Sequence, residues 1–159
     1  MPSYFRTARN VELSTVQFLE TQIEASWSSV TVIKSFSRAL SKDTTIPIVC
    51  IRMIDQTSTR LEIGTDTLEN RYGIVIDIFA KSDAQRLDLA DFIVNELKDG
   101  WIFLEFAHVS GDQSQVTTTA NGRLRVMEFT ENHRLDFGEQ VEFKDRYRHV
   151  LAFIVRKNI

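Results

Sequence analysis

RYGIVIDIFAKSDAQRLDLADFIVNELKDG, residues 71–100, decides the fold: it reads as a strand running directly into a helix. Gly73 to Ala80 is dominated by β-branched and aromatic residues. Ile74, Ile76 and Ile78 fall on one face and Val75, Asp77 and Phe79 on the other, so the strand is expected to be covered on both sides. Ser82 then caps a helix. Gln85 follows at the spacing where the two side chains satisfy each other's orphan amides. Leu87, Ala90, Val94 and Leu97, widened by Ile93, form its apolar stripe, and Gly100 supplies a left-handed stop. The segment is the centre of a sheet with a helix folded back onto it.

Towards the N-terminus, Asn10 can cap a first helix reaching about Trp27. Leu13, Val16, Leu19, Ile23 and Trp27 would face the sheet, with Glu12, Gln17, Glu20 and Glu24 in solvent. Residues 1–9 have no period and are expected to be a mobile arm. Val30 to Ser35 alternates as a short strand, and a polar connection follows to Thr45. Ile46 to Ile54 reads as a buried strand with Pro47 near its beginning. Thr59 to Gly64, with Leu61 and Ile63 pointing inward, would pair with it across the turn residues Asp55, Gln56, Thr57 and Ser58. That predicts an antiparallel hairpin over 46–64, with 65–70 as a polar link.

Towards the C-terminus, Trp101 to His108 is apolar and aromatic and belongs to the core. SGDQSQVTTTANG, residues 110–122, has one large apolar side chain, Val116, and reads as a long polar loop. Such loops are usually functional or disordered, so Asp112, Gln113, Gln115, Thr118 and Asn121 are candidate partner contacts. Residues 123–137 and 141–155 then pair around Gly138, Glu139 and Gln140. This register sets Leu135 against Phe143, His133 against Asp145, Val126 against Ala152 and Leu124 against Ile154. A strand of that length spans roughly 50 Å, more than one core of this size holds. The hairpin tip, with Leu135, Phe137, Val141 and Phe143 beside Arg134 and Arg146, therefore needs another subunit as its cover.

The predicted fold is α+β: one domain over 1–159, with a mixed, mostly antiparallel sheet, two helices packed on it and a long C-terminal β-hairpin. A chain of 159 residues buries roughly two-thirds of its unfolded surface. A net charge of −3 speaks against a general nucleic-acid binder, and no apolar run reaches the length of a membrane span. The single cysteine, Cys50, lies in an apolar run and reads as a core hydrophobe in a reducing compartment. Arginine outnumbers lysine thirteen to six, a balance favoured at interfaces. His108, His133 and His149 have no metal-ligand spacing, and no phosphate-loop glycine pattern is present, so no cofactor or metal is expected. Asp77 is the most interesting carboxylate. It reads as a subunit-contact or loop-bonded residue in preference to a catalytic one.

The order of an N-terminal helix, the strand IPIVCIRM, the unit at 71–100, a polar loop and a terminal segment ending in RYRHVLAFIV resembles the tail terminator, or tail-completion, proteins of long-tailed bacteriophages. The resemblance covers the chain from residue 10 onward and rests most on the Ser-Asp-capped unit at 74–97. It implies a non-enzymatic virion subunit, assembled in the host cytoplasm, that forms a hexameric ring at the head-proximal end of the tail. The ring would cap the tail tube protein, halt its polymerisation and offer a surface to a head completion or connector protein, with DNA only passing through its lumen. Two alternatives stand beside it: a head–tail connector or stopper of the phage neck, and a small oligomeric enzyme using Asp77 or a histidine.

Overall fold

The computed structural model describes residues 7–34, 36–41, 44–64, 68–109, 112–136 and 143–158. The elements run α1 (Thr7–Ser26), β1 (Thr31–Ile33), α2 (Phe36–Ala39), β2 (Ile48–Arg60), β3 (Leu68–Phe79), α3 (Asp83–Leu97), β4 (Trp101–Val109), β5 (Asp112–Arg134), a 3-10 turn (Phe143–Asp145) and β6 (Arg148–Asn158). The strands form one six-stranded sheet in the order β1-β2-β3-β6-β5-β4. Only the β1–β2 pair is parallel. The class is α+β, as the sequence predicts.

The two-sided strand is β3, and its neighbour β6 shares its burial. On one face Ile74, Ile76 and Ile78 join Leu151, Phe153 and Val155 beneath Leu19 and Ile23 of α1 and Leu89, Ile93 and Leu97 of α3. On the other face Val75 meets Val150, Ala152 and half-buried Leu135. At the end of that second face, α2 with Ile33 and Ile46 covers Ile48, Cys50 and Phe79. Four residues of helix are too short to show a period, so the sequence leaves α2 unseen.

The cap of α3 is half as predicted: Ser82 takes the Gln85 amide, while Gln85 reaches back one residue further, to Lys81. The Gln85 amide donates to Ser82 Oγ at 3.1 Å, and the Lys81 amide donates to Gln85 Oε1 at 2.8 Å. Gly100 adopts φ 80°, and a Cβ there would lie 2.5 Å from the Leu124 carbonyl oxygen. The buried face, however, is Arg86, Leu89, Ala90, Ile93 and Leu97, while Leu87 is 47% exposed. Apolar residues cover a wide arc of this helix, and the pull of Arg86 inward (below) selects the other edge of that arc.

α1 begins at Thr7, inside the predicted arm, and buries three polar residues, Asn10, Ser14 and Thr15. Thr15 Oγ1 donates to the Val11 carbonyl oxygen of its own helix at 2.8 Å, and Asn10 and Ser14 bond a sheet edge. The Leu104 amide donates to Ser14 Oγ at 2.9 Å, and Ser14 Oγ lies 3.2 Å from the Leu104 carbonyl oxygen. The Phe106 amide points the same way, to Asn10 Oδ1 at 3.4 Å. Glu12, predicted in solvent, accepts from the Met53 amide at 3.0 Å, where β2 has a bulge between Met53 and Asp55. The sheet thus curls around α1, which bonds β2 on one flank and the outer edge of β4 on the other. Buried edge amides need such partners.

Three predicted connections are different. β2 runs unbroken through Asp55–Ser58 and pairs with β3 from Ile48↔Phe79 to Arg60↔Leu68. The hairpin therefore joins β2 to β3, and Leu61 and Ile63 are 57% and 105% exposed instead of inward. Polar residues there mark a strand with no cover, not a turn. Likewise Asp112 onward is strand: the first half of β5 pairs with β4 and the second half with β6. A Thr-rich ribbon in solvent has no apolar residues to alternate, so it reads as a loop. Finally, β6 starts at Arg148. Leu124 faces Lys157, His133 faces Val150 and Arg134 faces His149, a drift absorbed by bulges at Val126/Glu128 and Phe129/Glu131. The predicted register around 138–140 assumed none.

Replacing Ser14 with Ala removes a side chain bonded to both Leu104 backbone groups with little change in volume. Urea denaturation should show a loss of about 1–3 kcal/mol, the cost of an unsatisfied buried amide. An unchanged midpoint would mean that water takes the place of the hydroxyl.

Candidate interaction surface

Asp77 is 1% exposed and is held from both neighbouring strands. Arg52 of β2 donates to its Oδ2 at 3.1 Å and Arg148 of β6 to its Oδ1 at 3.0 Å. The Phe36 ring of α2 lies against both guanidiniums, 4.3 Å from Arg52 Cζ and 5.0 Å from Arg148 Cζ. Arg148 also reaches Asp145 at 3.4 Å and sits 5.0 Å over Phe79. Lys144 Nζ bonds the carbonyl oxygens of Ala39 and Ser41. The cluster fastens α2 and the 143–145 turn onto the sheet. Both carboxylate oxygens are engaged, which makes Asp77 a structural anchor. Its strand partner Cys50 is also buried, and the thiol is pushed up to about 11, first by burial and then by the Asp77 charge.

A second buried polar chain ties α3 to the sheet. Arg86 is held by Asp83 Oδ1 at 2.8 Å and donates to His149 Nδ1 at 2.7 Å. An arginine only donates, so Nδ1 accepts and the His149 proton sits on Nε2, which donates to Asn132 Oδ1 at 2.6 Å. Burial, then Arg86, pushes the imidazole down to about 4.

The sequence-predicted contacts scatter. Leu135 packs on its own subunit, against Val75, Val150 and Ala152, and its amide donates to the Arg148 carbonyl oxygen at 3.0 Å. Arg134 donates to the Arg146 carbonyl oxygen at 2.9 Å and stands 5.6 Å over Tyr147. Arg146 is exposed. Phe143 begins a 3-10 turn instead of a paired strand, and Phe137 and Val141 lie outside the described residues. His133 is exposed and lies 4.0 Å from Glu131, with Asp145 elsewhere. Of the predicted loop, Asp112, Gln113 and Gln115 are on β5, Thr118 is exposed, and exposed Asn121 donates to Glu105 at 2.8 Å.

What the sequence missed is a projecting end. Among the described residues, β6 reaches Asn158, opposite Arg123, and pairs with β3 as far as Arg71↔Arg156. Beyond those pairs β5 continues back to Asp112 with β4 alone, and β3 continues back to Leu68 with β2 alone. Both two-stranded ribbons therefore leave the same end of the sheet, the longer by roughly 35 Å at ~3.4 Å per residue. Among the described residues, the shorter ribbon and its turn carry Leu61, Ile63 and Leu68 as exposed large apolar side chains. A cleft of about 790 Å³ opens beside it, lined by Leu61, Leu68, Glu69, Tyr72, Arg156 and Lys157. Among the described residues, no group of three or more His, Cys, Asp or Glu could hold a metal, and no helix is long and apolar enough to cross a membrane.

Two checks follow from the buried groups. Asp77→Asn strands two guanidiniums and should cost about 3 kcal/mol, towards the low end of the range for buried pairs because Arg52 is 35% exposed. Cys50 should resist a thiol reagent in the wild type and react faster in that variant, in step with its lower stability. For His149 the unfolded imidazole takes a proton near pH 6.5, well before the folded one. Stability is therefore full above pH 6.5 and falls as the pH drops towards 4, by roughly 3 kcal/mol at ~1.4 kcal/mol per pH unit. His149→Gln should flatten that part of the pH–stability profile, whereas an unchanged slope would assign it to carboxylates. No protein-family model matches the chain, and no curated protein sequence matches it.

Proposed function

We propose that the chain is a structural subunit of a phage tail, a terminator whose copies form a ring on the end of the tail tube. The observation that carries the proposal is the projecting end: two ribbons on one side of the subunit, one of them tipped with exposed Leu61, Ile63 and Leu68. Two-stranded ribbons are marginal in water, and grouped exposed apolar residues mark contact surfaces. Such an end suits an annular seat on a tube rim, with the curled sheet as the rigid body behind it. The resemblance of the capped unit at 74–97 to tail-completion proteins points to the same partner. Asp77, on which a catalytic reading leans, is closed off by arginines on both oxygens.

Electron microscopy of the purified protein with tail tubes tests this. Rings seated on tube ends are expected, and tubes that keep growing uncapped would refute it. Leu61→Asp with Ile63→Asp should abolish capping while leaving the unfolding midpoint within about 0.5 kcal/mol, as for exposed positions generally. Capping that survives both changes would move the seat away from this ribbon.

A further inference from the structure

The charges of this near-neutral chain are sorted by layer. On the helical side the exposed side chains include Glu20 and Glu24 of α1, Asp88 and Asp91 of α3 and Asp99 just beyond it, against Arg9 and Lys98. Asp88 and Asp91 share a stripe of α3, and exposed Leu87 stands beside them.

On the opposite face of the sheet, at the end away from α2, strand register sets Arg71 against Arg156 and Arg156 against Arg125, three arginines abreast on neighbouring strands. All three are exposed, and Arg123 follows on the same face of β5. Glu69 serves two of them, at 3.4 Å from Arg71 and 2.9 Å from Arg156. Asp55 and Glu128 lie one pair further in, opposite Gly73 and Ile154. Like charges directly opposite one another weaken a sheet, so this row is a cost that the free subunit carries.

Beside the row lies a hollow of about 210 Å³ lined by Asp55, Thr57, Thr59, Arg71, Gly73 and Ile154. That is room for one aliphatic side chain.

We infer that helix α3 of a second copy of this chain docks on that face, with its Leu87 in the Gly73 hollow and its Asp88 and Asp91 against Arg71, Arg156 and Arg125. An exposed leucine flanked by acids meets a hollow flanked by arginines. The two surfaces lie on opposite layers of one subunit, so the contact is heterologous and repeats from copy to copy, closing into a ring if the rotation allows. It supplies the subunit contact of the ring proposed above and rests on that reading only for the closure. The hollow and Leu87 favour a protein partner over a nucleic-acid backbone, which would meet the arginines but leave the hollow empty.

Light scattering on the eluting wild-type protein across a concentration series should show self-association that weakens when salt is raised from about 0.05 to 0.5 M. Arg125→Glu and Asp88→Arg/Asp91→Arg should each weaken it by about tenfold or more, and Leu87→Lys likewise, with unchanged circular dichroism. Mixing the two charge-reversed proteins should restore association, since each then offers the other a matching surface. A wild type that stays monomeric throughout overturns the inference, as do variants that associate like the wild type or a mixture that does not recover. A fluorescent DNA duplex bound through the arginines without self-association overturns it too. Tube capping scored on the same proteins separates the two ideas. Self-association without capping refutes the terminator and leaves the contact, and capping that ignores these variants does the reverse.

Discussion

A carboxylate at the centre of a sheet must be answered from both sides, and the answer to Asp77 shapes one whole face of this molecule. The partners come from the strands on either flank, Arg52 and Arg148, and two guanidiniums so close together need a cover that tolerates charge. An aromatic ring does so, since its face attracts cations. Phe36 is that ring, and α2 is only long enough to deliver it. Lys144 then ties the α2 carbonyls to the turn that precedes β6. The start of β6 at Arg148, the place of α2 and the closure of the second face therefore belong to one set of charges.

The other face is governed by shape. A sheet that curls around a helix presents edges as well as a surface, and α1 meets them with Asn10, Glu12 and Ser14. This is why its inner side is not a clean apolar stripe. The bulges at Met53/Asp55 in β2 and at Val126/Glu128 and Phe129/Glu131 in β5 lie on the strands that flank the central β3–β6 pair. Bulges increase local twist, so their placement is consistent with curvature on both sides of a regular centre.

Sequence patterns were informative where burial is two-sided and silent where it is not. The unit at 71–100 was legible because every residue of β3 from Ile74 to Phe79 is buried and because a capping pair marks its helix. The class of the fold followed from it, but Asp77, read as a subunit-contact or loop-bonded residue, takes its partners from the two flanking strands. The ribbons were illegible because a strand in water leaves no alternation: Asp55–Ser58 looked like a turn and Asp112–Gly122 like a loop. Register failed for a related reason. The periodic match of residues 123–137 with 141–155 was good, but bulges shift pairing without altering the local pattern, and one unseen shift moves every later partner. With it went the pairing of Leu135 with Phe143, while the strand pairings place outward-reaching ends at the other end of β5.

The groups that hold the subunit together and those left in water are separate. Asp77, Arg148, Arg86 and His149 are spent inside, each fixed by two or more partners. The outer arginines and the exposed leucine and isoleucines hang from strands and a helix already secured by that interior. An exposed side chain on a rigid element loses little freedom when it is covered, so binding energy is not consumed in ordering the surface. Separation also divides the effects of substitution: changes at the buried groups lower stability, and changes at the rim alter association while the fold persists. In the contact inferred above, the acids of α3 meet the arginine row of another copy, so the two partners use different surfaces, and a contact of that kind is directional.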